Sequence, residues 1–218
     1  MRIRRRGRRS AARAIQSPVW PGADALKMVR RLNSKGLESI AATAANIDES
    51  GATGLVSRHA GLWRQMTPDS CQRMAGCPVL LVELHFHDVP WWEWVVRQGP
   101  KPLRPVISDP RIAIGNAQAL VREILMQACI IAHKSREAAR LSFGISSPVV
   151  EMIADLTGSE IELLTAEHAE ELQLRWADNT VFWKNLLEAA LGDSEEAVGA
   201  VHMHCLQLLG SDETPAHN

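Results

Sequence analysis

Residues 141–178 read LSFGISSPVVEMIADLTGSEIELLTAEHAEELQLRWAD, and the punctuation of this stretch decides the fold. Gly144 is the residue type that ends a helix in the left-handed region. Ser146 or Ser147 followed by Pro148 starts the next helix, with Val149, Met152, Ile153 and Leu156 turned inward. Thr157 with Glu160 three positions on is a capping box, and the helix it opens buries Ile161 and Leu164. From Glu171 to Trp176 the period changes to two. A short strand is expected there, with Leu172, Leu174 and Trp176 on one face.

Upstream, Ala117, Leu120, Val121, Ile124, Leu125, Ala128, Ile131 and Ala132 recur at helical spacing, which predicts a long amphipathic helix over 116–134. Ser135 caps a second, short helix with Glu137 in its first turn, and Gly144 stops it. Downstream, 180–191 and 194–209 read as two further helices.

The same order occurs earlier in the chain. Moving the sequence by 90 residues sets GLVS (54–57) on GISS (144–147), QMTPDSCQRM (65–74) on DLTGSEIELL (155–164), and LHFHD (84–88) on LRWAD (174–178). Only five of the thirty-five residues over 54–88 and 144–178 are identical. The likeness lies in the punctuation: a helix-stopping Gly, a helix cap at Thr, then a short strand ending in an aromatic, one residue and Asp. GPKPLRPVISDPRI (99–112) holds four prolines, which remove amide donors and forbid continuous helix. The expected organisation is an Arg-rich tail (1–27), a unit over 28–98, the proline linker, a unit over 113–209, and a short tail (210–218). Each unit is small for an independent core, so the two are expected to pack together or to be stabilised by oligomerisation.

This punctuation resembles the FlhD-type family of small helical flagellar transcriptional regulators. The residues that carry the likeness are Leu141, Phe143, Gly144 and Ile145 between two helices, Leu156 and Thr157 at the next helix start, and Leu172, Leu174 and Trp176 in the strand. Gly54, Leu55, Met66, Thr67, Leu84 and Phe86 repeat it more faintly. The resemblance implies a mainly α fold of two FlhD-like units, each with one short β-strand, joined as a covalent pseudo-dimer. It also implies transcriptional regulation as an activator, through protein–protein contacts with an FlhC-type DNA-binding partner. The chain departs from the family in its double length, its proline linker and the cluster Trp91, Trp92 and Trp94. The alternative is a non-catalytic helical scaffold or accessory protein, for example of a mobile element.

Composition sets outer bounds. The chain has 218 residues, 46 % hydrophobic and 22 % charged, which suffices for a packed core and excludes wholesale disorder and fibrous repeats. No run of eighteen apolar residues occurs, so no membrane span is expected. Four widely spaced Cys without a CxxC pair suit a reducing, cytoplasmic setting.

The net charge of −1 conceals an asymmetry: 1–35 carry eleven Lys and Arg against one acid, and 36–218 thirteen against twenty-four. An acidic body disfavours broad binding to a phosphate backbone. Arg4, Arg5, Arg6, Arg8 and Arg9 could instead form a nucleic-acid-binding arm. No apolar core follows them, so a secretory signal is excluded, and a translation start at Met28 is the competing reading.

Candidate chemistry is sparse. His85 and His87 flank Phe86 and could ligate a metal with Cys71 or Cys77, but the favoured reading is a solvent-facing polar face opposite Leu84 and Phe86. His202 and His204 diverge on a helix. No G-x-S-x-G, P-loop, G-x-G-x-x-G or H-E-x-x-H occurs, so neither an enzyme nor a cofactor is expected. Trp91, Trp92 and Trp94 are candidates for an interface between the units or with a partner, with ordinary core packing as the alternative.

Overall fold

The helix expected over 116–134 forms as α6 (Ala117–Lys134), and its apolar stripe from Leu120 to Ala132 is buried. In this computed structural model, residues 22–45, 54–97 and 116–212 are described. The proline linker and Arg4, Arg5, Arg6, Arg8 and Arg9 lie outside them. After α6 the local signals act as their chemistry dictates. Ser135 Oγ accepts from the Ala138 amide at 3.1 Å to cap α7 (Arg136–Phe143), and Gly144, at φ +58°, ends it. Pro148 sits in the first turn of α8 (Ser147–Ala154). Thr157 and Glu160 close a reciprocal capping box on α9 (Gly158–His168).

The expected strand over 171–176 shortens to two residues, β2 (Gln173–Leu174). A 3-10 turn occupies Ala169–Glu171, and Trp176 takes φ +51°, which turns the chain out of the extended region. Two helices follow, α10 (Thr180–Leu191) and α11 (Glu195–Asp212).

The first half contains α1 (Ala23–Ala44), the one-turn helices α2 (Leu55–Arg58) and α3 (Ala60–Trp63), α4 (Pro68–Ala75), β1 (Val82–Glu83) and α5 (Val89–Arg97). Helix α1 begins five residues before Met28, inside the stretch read as a tail. Asp24 lies in its first turn, and Ala25 and Met28 pack on the core. At the other end, α11 continues past 209 to Asp212. Eleven α-helices and two short strands among the described residues make this a mainly α fold.

Local features recur 90 or 91 residues apart. Capping boxes stand at Thr67 and Thr157. His85 (φ +50°) and Trp176 (φ +51°) take the left-handed conformation just after each strand. Asp88 accepts from the Trp91 amide at 2.9 Å to cap α5, and Asn179 from the Phe182 amide at 3.0 Å to cap α10. The Trp92 indole donates to the His85 carbonyl at 3.0 Å, and the Trp183 indole to the Arg175 carbonyl at 2.8 Å.

The halves are interlocked rather than set side by side. Strand β1 pairs antiparallel with β2, Val82 opposite Leu174 and Glu83 opposite Gln173. Helix α5 packs on α8 of the second half, while α10 packs on α3 and α4 of the first, and α1 packs on both α6 and α7. One continuous hydrophobic core results, in which Trp63, Trp91, Trp92 and Trp183 are the largest fully buried side chains. The core runs across the joint, so the two halves share its burial of apolar surface, which stabilises by about 25 cal/mol per Å².

Candidate functional site

One group of polar side chains lies along the β1–β2 seam, and residues from both halves contribute. Glu171 ends the 3-10 turn, where its carboxylate receives three partners. His85 Nε2 lies 3.0 Å away, His168 Nδ1 2.8 Å away, and the Trp91 indole donates at 3.2 Å. Burial pushes this carboxyl up, but the hydrogen bonds and charges of His85 and His168 together outweigh it and hold it down at about 2. The His85 and Trp91 rings pack 4.9 Å apart between centroids, and His168 packs edge-on to both Trp91 and Trp94.

At the other end of the seam Arg175 is 1 % exposed. Its guanidinium donates to the carbonyls of Leu80 (3.0 Å), Phe143 (2.7 Å) and Gly144 (3.0 Å). Glu83 balances the charge at 3.3 Å. A fifth contact, Nη1 to His87 Nε2 at 3.4 Å, requires that nitrogen to accept, since a guanidinium can only donate. Arg175 thus ties the end of α7 to the segment leading into β1, satisfying carbonyls that would otherwise be buried without partners.

The sequence-derived candidates fall as follows. His85 and His87 are each partly buried, with Leu84 and Phe86 fully buried beside them, and they go to different partners, Glu171 and Arg175. His85 is not open to solvent as a polar face would be: its side chain is 13 % exposed and held by the second half. Cys71 is buried in α4, where burial and nearby Glu38 push its thiol up to about 11. Among the described residues, no three His, Cys, Asp or Glu side chains are placed to hold a metal ion.

The tryptophans require a correction. Trp91 and Trp92 are 1 % and 0 % exposed, so neither presents surface to a separate protein; the interface they form is internal. Trp92 stacks on Phe86, and Trp91 reaches Glu171 of the other half. Trp94 is half-buried against His168.

Sequence reasoning missed Glu171, His168 and Arg175. The alternation over 171–176 turns Arg175 away from Leu174 and Trp176, toward solvent. The guanidinium is buried instead, because the carbonyls of Leu80, Phe143 and Gly144 and the Glu83 carboxylate receive it. The spacing of His168 and Glu171, three apart at a helix end, is the one local signal that could have joined two of the three.

Elsewhere, a shallow depression of about 360 Å³ lies between α1 and α6, lined by Lys35, Glu38 and Glu123 among others. A second, of about 280 Å³, lies between the start of α6 and the end of α9. Neither includes a seam residue. Among the described residues, no helix is long and apolar enough to cross a membrane.

No family model matches the chain. No curated protein and no solved structure matches it either.

Proposed function

We propose that this protein is a non-catalytic transcriptional regulator of the FlhD type, acting through protein–protein contacts with an FlhC-type DNA-binding partner. The observation that supports the reading best is the interlocked pair of halves, with strand paired to strand and caps recurring 90 or 91 residues apart. Two FlhD-type subunits fused in one chain would have this arrangement. The seam residues then act as the fastening of a pseudo-dimer: Glu171 and Arg175 of the second half bind His85, Glu83 and His87 of the first.

In this reading the DNA contact is made by the partner or by the Arg-rich stretch. Residues 116–212 hold fifteen Asp and Glu against six Lys and Arg, a surface that repels a polyanion. A cytoplasmic location accords with four buried, free thiols.

The test is a mobility shift on promoter DNA with the chain alone, an FlhC-type protein alone, and both together. A slower complex that requires both proteins supports the regulator. No shift in any lane removes it and leaves a helical scaffold.

A further inference from the structure

We infer that the depression between the start of α6 and the end of α9 is a docking groove for a basic amphipathic helix contributed by another protein.

The groove has a filled twin in the first half, related to it by the recurrence of the fold. The capping boxes at Thr67 and Thr157 place Gly76, at the end of α4, in correspondence with Ala166 in α9. The buried stripes of the two long helices correspond 88 residues apart, Leu32 with Leu120, Leu37 with Leu125 and Ala44 with Ala132. That register sets Val29 and Arg30 on Ala117 and Gln118.

In the first half, α11 lies on this place. A Cβ on Gly76 would stand 3.1 Å from the His202 ring, and α11 packs along α10 with His204 edge-on to Phe182. Val29 and Cys77 are 0 % and 1 % exposed there. In the second half their counterparts are open. Ala117 is half-buried and Glu167 exposed, and both line the depression of about 280 Å³. On the side of α5 the place is filled from within, since His168 packs edge-on to Trp91. The open side is that of α6. The chain has no second α11 to close it, because the four prolines in 99–112, the stretch after α5, forbid a continuous helix.

Charge decides which helix fits. Helix α11 holds Glu195, Glu196 and Asp212 and no Lys or Arg, and the groove it occupies offers Arg30. In the twin, Gln118 stands in place of Arg30 and Glu167 in place of Cys77, with Glu170 exposed on the same rim. The α11 of a second copy would meet like charge there. A helix bearing Lys or Arg would meet opposite charge. The floor is small and apolar, formed by Ala117, Ala166 and Ala169, which lets a helix approach closely and seat its apolar face.

The experiment titrates the full-length protein into two fluorescent peptides. One is the α11 sequence, 195–212; the other carries Glu195→Lys, Glu196→Lys and Asp212→Lys. Anisotropy should show the Lys form binding one to one, about tenfold more tightly than the acidic form. Ala166→Trp fills the floor from an exposed position and should weaken the Lys peptide about tenfold, with unchanged circular dichroism. Glu167→Lys should weaken it about threefold. His202→Ala, which loosens α11 in the filled groove, should leave it unchanged. No binding of the Lys peptide, equal binding of both peptides, or binding indifferent to Ala166→Trp would each overturn the assignment. Tighter binding with His202→Ala would overturn it too, by placing the peptide in the α11 groove. These outcomes are independent of whether the protein regulates transcription.

Discussion

Replacing Gly144 with Ala tests the physical account of the seam most directly. Gly144 holds φ +58°, and a Cβ there would lie 2.6 Å from Arg175 Cζ and 2.8 Å from Nη2, with Nη1 closer still. The left-handed conformation alone costs an alanine about 1–2 kcal/mol. The guanidinium cannot swing aside freely, because it is buried and bonded to the Phe143 and Gly144 carbonyls. Breaking even one such charge-assisted bond costs about 1.5–3 kcal/mol. The sum is a destabilisation of about 2.5–5 kcal/mol, measured as the loss in unfolding free energy by urea titration. Gly199→Ala is the control. It lies inside α11 with nothing within 4 Å of the new methyl, and should stabilise by about 0.5–1 kcal/mol. Placed in an Arg175→Met background, Gly144→Ala should cost only the backbone part. A loss below about 1 kcal/mol in the wild-type background, or the same loss in both, would refute the clash.

Two other expectations follow from the same geometry. Glu171 is depressed to about 2 from an ordinary 4.5, so its contribution to stability is present above about pH 4.5 and lost as pH falls toward 2. With a side chain 24 % exposed, that contribution is about 2–3 kcal/mol. The stability gap between wild type and Glu171→Gln should therefore be full at pH 7 and shrink below pH 4.5; a gap that stays constant to pH 3 argues against the His85 and His168 contacts. Trp92→Ala should cost about 3–5 kcal/mol with no change in mass by light scattering, because the indole is 0 % exposed; a folded variant of altered mass would return Trp92 to an intermolecular interface.

Much of the fold was legible in the sequence because its signals are local. The Ser135 cap, the Gly144 stop and the Thr157 capping box each act within one helical turn, and each is in place. The stripe from Leu120 to Ala132 needs only a 3.6-residue period. The seam was far less legible. His85 and Trp91 were visible as candidates, but their partner Glu171 lies 86 and 80 positions away. No spacing rule connects residues so distant. The strand at 171–176 misled for a related reason. A strand lasts as long as it has a pairing partner, and the partner here is two residues long.

By itself, the sequence determined where the helices between 116 and 191 begin and end, which of their faces are apolar, and that acid is in excess beyond residue 35. Those properties follow from hydrogen bonds and periodicities a few residues long. Tertiary structure alone decided that α5 and α10 each pack across to the other half, that Trp91 and Trp92 are buried, and that Arg175 is an internal tie. Each of these depends on which of several equally apolar faces wins the contest for the same core, and that contest is settled by the three-dimensional closure of the whole chain.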